Sequence, residues 1–204
     1  MAGTLAQEYT KTYTSFSGCD IKSLYISDLT AWCNIDIDDK GVSLADNLYL
    51  NDRLIEQLVI PDDVSIIKSG TFNGFTSISS LYIHDNVTSI GDLAFYECSN
   101  LSTVTFGNNS NLLSIGQLAF VGTNFTSINI PYSVERIGGE AFINCNNLKY
   151  INLPPKITEI HGSTFQNCSS LDNVVIPEGV TRIGGSAFRY CSNLKNVTIP
   201  RTVN

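Results

Sequence analysis

The sequence predicts a β-rich solenoid, a fold in which similar short coils stack along one axis. Phenylalanine recurs at positions 72, 95, 120, 142, 165 and 188, in steps of 23, 25, 22, 23 and 23 residues. A cysteine usually follows three residues after the phenylalanine, and an alternating apolar segment that ends at a proline comes next. A repeat of this length is typical of solenoids. We expect coils of about 23 residues, with residues 1–15 forming a leader or partial cap and residues 16–204 forming one elongated domain.

Each coil contains two predicted extended segments. The first has the form Leu-x-x-Val/Ile-x-Ile/Leu, as at 148–153, and its last three positions alternate with the period of a β-strand. The proline after it, such as Pro154, cannot donate to a ladder and turns the chain. The second segment is Val-x-x-Ile-Gly, whose glycine permits a positive φ or a close approach of backbone.

The Ala-Phe pair, found at 94–95, 119–120, 141–142 and 187–188, predicts a single helical or 3₁₀ turn before the cysteine. Because stacked coils place like residues over like residues, we expect the phenylalanine rings to form one continuous stack in the core. One coil cannot bury these apolar faces alone, so its stability depends on its neighbours.

The repeat resembles the BspA-like leucine-rich repeat family. The resemblance rests on IGDLAFYECSNLSTV (90–104), IGGEAFINCNNLKYINLP (137–154) and IPEGVTRIGGSAFRYCSNLKNVTIP (176–200), and it covers residues 54–204. It implies a leucine-rich repeat fold and an extracellular or cell-surface location in a host-associated microbe. Several members of the family are adhesins, so the resemblance also implies a role in adhesion.

The N-terminal part departs from the regular repeat. A further copy starts at Phe16, and the period then breaks over 27–57, which we interpret as one enlarged coil. Within it, Asp28 would cap a short helix in which Trp32 stands in for the repeat phenylalanine. Asn51-Asp52 would form the two-residue turn of a protruding β-hairpin. Insertions in repeat proteins lie on one face, often the binding face, but the hairpin could equally serve packing.

The composition limits the possible partners. Charged residues make up 15% of the chain and the net charge is −7, without a basic stripe, so nucleic acid is not an expected partner. No apolar run approaches the length of a membrane span, and no signal peptide is visible. The chain ends in the opening of another repeat, so we expect it to be part of a longer array. We expect a monomer or weak end-to-end association.

Residues that could carry chemistry mostly occupy repeat positions. Five of the six cysteines share one column, in which two other coils place Phe75 and Thr123, so buried thiols are expected, with a disulfide between neighbouring coils or a metal site as alternatives. His84 and His161 lie about three coils apart. The segment 36–41 resembles a calcium loop only faintly because Lys40 stands at a ligand position, so a solvated turn is expected. No catalytic residue, cofactor or metal is predicted, and an enzyme is not expected.

The outward positions of the longer strands form columns of hydroxyl, amide and tyrosine side chains. Tyrosine contributes a large contact area at low entropic cost. We predict a binding face on these strands and the hairpin, through Tyr25, Tyr49, Tyr82, Asn129, Tyr150 and Asn152. The predicted function is recognition or adhesion, with a protein or a glycan as ligand. Two alternatives stay open: these side chains are only well-solvated strand residues, or the chain is a structural spacer without a ligand of its own.

Overall fold

The computed structural model describes residues 20–35, 37 and 44–204. The predicted leader, Phe16, Cys19 and most of the acidic segment 36–41 lie outside the described residues. The described residues form one short helix, α1 (Leu29–Cys33), and short strands: β1 (Ser23–Ile26), β2 (Asn47–Leu50), β3 (Arg53–Leu54), β4 (Gln57–Val59), β5 (Ile66–Ile67), β6 (Ser80–Ile83), β7 (Ser89–Ile90), β8 (Thr103–Phe106), β9 (Ser114–Ile115), β10 (Ser127–Asn129), β11 (Arg136–Ile137), β12 (Tyr150–Asn152), β13 (Glu159–Ile160), β14 (Asn173–Val175), β15 (Arg182–Ile183) and β16 (Asn196–Thr198).

Successive coils stack with their strands parallel and in register. The longer strands form sheets with the orders β4-β6-β8, β10-β12 and β14-β16, and the two-residue strands form β5-β7-β9-β11 and β13-β15. Like residues face each other: Leu81 pairs with Val104, and Ile90 pairs with Ile115. Parallel strands need a crossover between them, and the rest of each coil provides it. The predicted solenoid of about 23 residues per coil is confirmed.

The repeat phenylalanines form the predicted aromatic stack. Consecutive rings from Phe72 to Phe188 lie 5.3–5.6 Å apart between centroids and within 14° of parallel. Every ring of the stack is fully buried except that of Phe188, which is partly buried. Burial of each ring stabilises the fold by about 1.5–3 kcal/mol relative to an exposed ring, and stacking adds about 0.5–1.5 kcal/mol per pair.

The corner that contains Ala-Phe differs from the predicted helical turn. Alternate backbone N–H groups donate to the next coil, as in Leu93 to Gln117 O (2.9 Å), Phe95 to Ala119 O (2.8 Å) and Glu97 to Val121 O (2.8 Å). A helix would direct these donors to its own carbonyl groups. The chain instead makes two consecutive turns, each with one left-handed residue, in the columns Gly70, Leu93, Leu118, Glu140, Ser163, Ser186 and Gly74, Glu97, Gly122, Asn144, Asn167, Tyr190.

The glycine that follows β7, β9, β11 and β15 is required by close packing between coils. A Cβ atom on Gly138 would lie 2.5 Å from the backbone nitrogen of Gln117, in the preceding coil. The same holds at Gly116, where the nearest backbone nitrogen, that of Asp92, is 2.5 Å away. Of the two roles predicted for this glycine, the close approach is therefore the one that the structure uses at these positions.

The enlarged N-terminal coil contains the predicted helix and hairpin. The Asp28 carboxylate accepts a hydrogen bond from Ala31 N–H (3.0 Å) and caps α1. Strands β2 and β3 are antiparallel, and both residues of their turn, Asn51 and Asp52, are left-handed, with φ of 48° and 63°. Two left-handed residues are characteristic of the type I′ turns that suit hairpins.

Trp32 is buried but does not extend the phenylalanine stack. Its ring meets that of Phe75 edge-on, at 6.3 Å between centroids, and Phe75 stands in the cysteine column. The indole N–H donates to Thr71 O at 3.0 Å, which satisfies a polar atom that would otherwise be buried without a partner. Trp32 therefore packs against the cysteine column, in contrast to its predicted place as the repeat phenylalanine.

A truncation in the middle of the stack should be costly. We expect Phe142→Ala to lower the free energy of unfolding by about 3–5 kcal/mol, because it leaves a cavity between two buried rings. Chemical denaturation with intrinsic fluorescence measures the change. Asn109→Ala, on an exposed loop, is the control and should change stability by about 0.5 kcal/mol or less. Equal losses in the two variants would contradict the assigned register.

The left-handed corner gives a second prediction. At Ser163, with φ of 54°, we expect Ser163→Val to be less stable than Ser163→Gly by about 1–3 kcal/mol, since a β-branched residue is strained there. Thr158 is exposed and lacks a positive φ, so at that position the valine variant should be the more stable of the two. The same order of stability at both sites in urea unfolding would show that the corner is not left-handed.

Candidate functional site: the strand face

The outward side chains of the longer strands lie in two columns, which we call the strand face. The central column consists of Tyr25, Tyr49, Val59, Tyr82, Thr105, Asn129, Asn152, Val175 and Thr198. The flanking column consists of Ser23, Asn47, Gln57, Ser80, Thr103, Ser127, Tyr150, Asn173 and Asn196. Within each sheet, neighbouring members of a column are register partners. Neither column contains a charged residue.

The N-terminal part of the strand face is aromatic and aliphatic. Tyr25 and Tyr49 stack at 4.6 Å between ring centroids and 16° from parallel. Tyr25 is 62% exposed, and Leu54 on the hairpin, the register partner of Tyr49, is 40% exposed. Further along the column Val59 and Tyr82 pair and are both exposed. Exposed apolar side chains that adjoin one another are typical of contact surfaces.

The middle of the strand face is polar, and its amide groups are available. Asn129 and Asn152 are register partners and exposed, and Tyr150 pairs with Ser127 beside them. Within the described part of the chain, the side chains of Asn129 and Asn152 make no hydrogen bond. By contrast, the Asn196 side-chain amide donates to Asn173 Oδ1 at 2.9 Å, two strands further along. The exposed amides at 129 and 152 can therefore bind a ligand without losing an internal contact.

The described longer strands fall into four sheets, β1-β2-β3, β4-β6-β8, β10-β12 and β14-β16, and one of the breaks lies between β8 and β10. The gap is a groove of about 730 Å³, which we call the polar groove. Its lining includes Thr105 of β8, Asn129 and Asn152 of the next two strands, the loop 107–110 and Tyr132. Of the six predicted site residues, the structure brings Asn129 and Asn152 together here and stacks Tyr25 on Tyr49 elsewhere. Tyr82, on β6, lies between these two places, whereas Tyr150 lies on β12, the strand that carries Asn152.

Unequal coil lengths coincide with the groove. The coil from Phe95 to Phe120 spans 25 residues and the next spans 22, so the strands on either side of the gap belong to a long coil and a short one. The loop of the long coil is held by the coil before it: Asp85 Oδ1 accepts from Asn109 N–H (3.0 Å) and Asp85 O from Asn111 N–H (3.1 Å). A Cβ on Gly107 would lie 2.0 Å from Asp85 Oδ1, so glycine at this position lets the carboxylate keep its bond to Asn109 N–H.

Sequence reasoning missed several residues of the groove. Tyr132, 73% exposed, follows Pro131 at a corner and was not assigned to the strand face. Ser133 and the loop residue Asn109 were also missed. The one signal in the sequence was the 25-residue step with its polar segment GNNSN, which shows where a coil is longer but not what the extra residues surround.

The four described cysteines of the repeat are buried as predicted, apart from partly exposed Cys191, and each thiol also has a specific partner. The Sγ–H groups of Cys98, Cys145, Cys168 and Cys191 donate to the phenylalanine carbonyl of the preceding coil at 2.9–3.2 Å. Burial raises the pKa of Cys98 to about 12, so its thiol is not a nucleophile at neutral pH. The described cysteines are all free thiols.

The two histidines also have structural partners. His84 is buried where the repeat usually has proline; its Nε2 lies 2.8 Å from Pro61 O and its Nδ1 accepts from Asn86 N–H (3.2 Å). His161 Nδ1 lies 3.4 Å from Glu159 Oε1, and Glu159 also pairs with Arg182. In the described ranges no group of three His, Cys, Asp or Glu side chains converges as a metal site would require.

Asp36, Asp38 and Lys40, which carry the resemblance to a calcium loop, lie outside the described residues. Among residues 20–35, 37 and 44–204, no helix combines the length and apolar character needed to cross a membrane.

Residues 42–121 and 113–204 match a family model described as the BspA type leucine rich repeat region, in 6 copies. No similar protein was found among curated sequences.

Solved structures with a similar fold come from bacteria. A leucine-rich repeat protein of Bacteroides ovatus is 27% identical, with a TM-score of 0.56 over 79% of this chain and 46% of its own. A leucine rich cell surface protein of Faecalibacterium prausnitzii is 26% identical, with a TM-score of 0.60 over 93% of this chain and 56% of its own. The pneumococcal vaccine antigen PcpA, at 21% identity and a TM-score of 0.56 over 91% of this chain and 42% of its own, shares the fold. The chain thus spans about half the length of these proteins.

The wall of the polar groove depends on one carboxylate. We expect Asp85→Ala to release the loop 107–110, because Asn109 N–H loses its acceptor, and to lower stability by about 1 kcal/mol. Hydrogen exchange of the Asn109 amide, followed by NMR, should become about fivefold faster. Asp85→Asn keeps an oxygen acceptor and is the control. Unchanged protection in Asp85→Ala would mean that the loop is held by other contacts.

Proposed function

Because the chain belongs to the BspA type leucine-rich repeat family, we propose that it is a recognition module of a cell-surface protein. The strand face would bind a protein or glycan ligand, and adhesion would be its role at the surface. The proposal contains no catalytic step and no cofactor.

The observation that carries the proposal is the absence of charge from the strand face. The two columns run over nine strands, and every residue in them is uncharged, although the chain has a net charge of −7. Solvation alone does not require this, since charged residues are equally well solvated on an open sheet face. The residues just before the flanking column include Lys22, Asp46 and Lys149, so charge begins at the edge of the face.

The exposed tyrosines support binding more directly. Tyr25, Tyr82 and Tyr150 are 62%, 40% and 58% exposed, and they lie on rigid strands. A tyrosine fixed on a strand loses little entropy when it is covered by a partner, and its hydroxyl can keep a hydrogen bond. Such side chains often carry much of the energy of an interface.

The comparison with the Faecalibacterium protein supports a cell-surface location, since that protein is a leucine rich cell surface protein. The strand face has no basic side chain for a phosphate backbone, so nucleic acid is not part of the proposal. We place the chain outside the cell, as one section of a surface structure.

The proposal predicts that exposed tyrosines contribute to binding without contributing to folding. We expect Tyr82→Ala and Tyr150→Ala each to weaken binding at least about fivefold, because each removes about 1 kcal/mol of contact energy. Labelled protein would be applied to arrays of extracellular matrix proteins and oligosaccharides and to epithelial cells. Thermal unfolding of the variants should match the parent protein.

Tyr190→Ala is the matched control, because Tyr190 is 61% exposed but lies at a corner away from the strand face. It should bind as the parent does. If Tyr82→Ala and Tyr150→Ala bind as tightly as Tyr190→Ala, the strand face is not the contact surface. If the full-length protein binds no array member and no cell, the chain is a structural spacer and the proposal is wrong.

A further inference from the structure

We propose that the polar groove between β8 and β10 is a subsite for a neutral oligosaccharide. The inference rests on the proposed function, because it assigns a ligand class to one part of the strand face. It depends on the chemistry of the lining, the availability of its polar groups, an aromatic residue at its edge and the rigidity of its wall.

The lining is polar and entirely uncharged. Of its seventeen residues none is acidic or basic; they include hydroxyl groups, such as those of Thr105 and Ser127, and the amides of Asn108, Asn109, Asn129 and Asn152. An amide presents both an acceptor and donors, so it can pair with sugar hydroxyls, which also donate and accept. A sulfated, phosphorylated or carboxylated ligand would find no countercharge here, and the net charge of −7 would repel it.

Several of these polar groups are not engaged within the protein. The amides of Asn129 and Asn152 make no hydrogen bond to any described residue, whereas Asn124 and Asn147, in the same two coils but off the groove, bond to each other at 2.5 Å. The Ser133 hydroxyl, also in the lining, is buried and has no partner among the described residues. The two exposed asparagine amides are therefore the unengaged groups that a ligand can reach, because the Ser133 oxygen is covered by the protein.

Tyr132 provides an aromatic surface at the edge of the groove. It follows the repeat proline and is 73% exposed. The residues after the proline position in the other coils are Asp62, Asp85, Asn108, Pro155, Glu178 and Arg201, so only the groove coil has an aromatic ring there. The apolar ring of tyrosine can cover the C–H face of a sugar, while its hydroxyl stays in water.

The groove is preformed and of suitable size. Its volume of about 730 Å³ lies within the roughly 300–1,000 Å³ that is usual for small-ligand sites. The Asp85 carboxylate holds one wall through Asn109 N–H, and the pairing of Asn129 with Asn152 fixes the other. A wall that is already ordered lowers the entropic cost of binding.

Saturation-transfer NMR tests the inference, since it detects weak binding. The full chain would be mixed with neutral oligosaccharides built from glucose, galactose, mannose and N-acetylhexosamines, and with heparin fragments and oligogalacturonate as charged competitors. We expect at least one neutral oligosaccharide to bind and the charged ones to fail. The double variant Asn129→Ala/Asn152→Ala and the variant Tyr132→Ala should each weaken binding about tenfold or more.

The controls use the same substitutions outside the groove. Asn173→Ala/Asn196→Ala alters two strand-face asparagines, and Tyr190→Ala alters an exposed tyrosine; both should bind as the parent does. Circular dichroism and thermal unfolding check that each variant is folded.

The inference is overturned if no neutral oligosaccharide binds, if charged ones bind better, or if the groove variants bind as well as their controls. A protein ligand that depends on Tyr82 but not on Asn129, Asn152 or Tyr132 also overturns it. That last result would leave the strand face as a recognition surface. Loss of the proposed function itself would instead appear as binding that no strand-face substitution alters.

Discussion

The structure depends on one constraint: every coil must place the same residues over those of its neighbour. The phenylalanine rings, 5.3–5.6 Å apart, set this register in the core. Backbone bonds from alternate N–H groups set it at the corner, where a non-glycine residue such as Leu93 accepts a left-handed conformation to keep them. A left-handed residue costs about 1–2 kcal/mol, which the stacking of coils outweighs, and the glycines at positions such as 138 allow the coils to approach closely.

Most of the residues that could otherwise carry chemistry have a structural role in the stack of coils. The thiol of Cys98 is bonded to a carbonyl of the coil before it, and burial keeps it protonated. His84 stands where the repeat usually has proline, and its Nε2 forms a hydrogen bond with the carbonyl oxygen of Pro61. The ring of Trp32 packs edge-on against that of Phe75. These groups already have partners inside the stack. Side chains that bind a ligand must therefore lie at the outward positions, where the packing of the repeat does not require a particular residue type.

Departures from the repeat are therefore where specificity can arise. The hairpin of β2 and β3 adds an antiparallel strand to the N-terminal sheet and brings Leu54 beside Tyr49. At another place a 25-residue coil is followed by a 22-residue coil, and the loop bonded to Asp85 lines the groove between them. The result is one face with an aromatic region and a polar region, which suits a surface that contacts a large partner at more than one point.

The sequence by itself determined the solenoid, its register, the buried cysteine column and the hairpin turn, because each is a local pattern that repeats or a turn with a strict residue requirement. It also identified Asn129 and Asn152 as outward residues. Only the tertiary structure decided that these two line a groove with Thr105 and Tyr132, that Tyr25 stacks on Tyr49, and that the Ala-Phe corner is not helical. The physical reason is that these outcomes depend on how unequal coils stack and where backbone donors find acceptors, and neither is visible in one repeat.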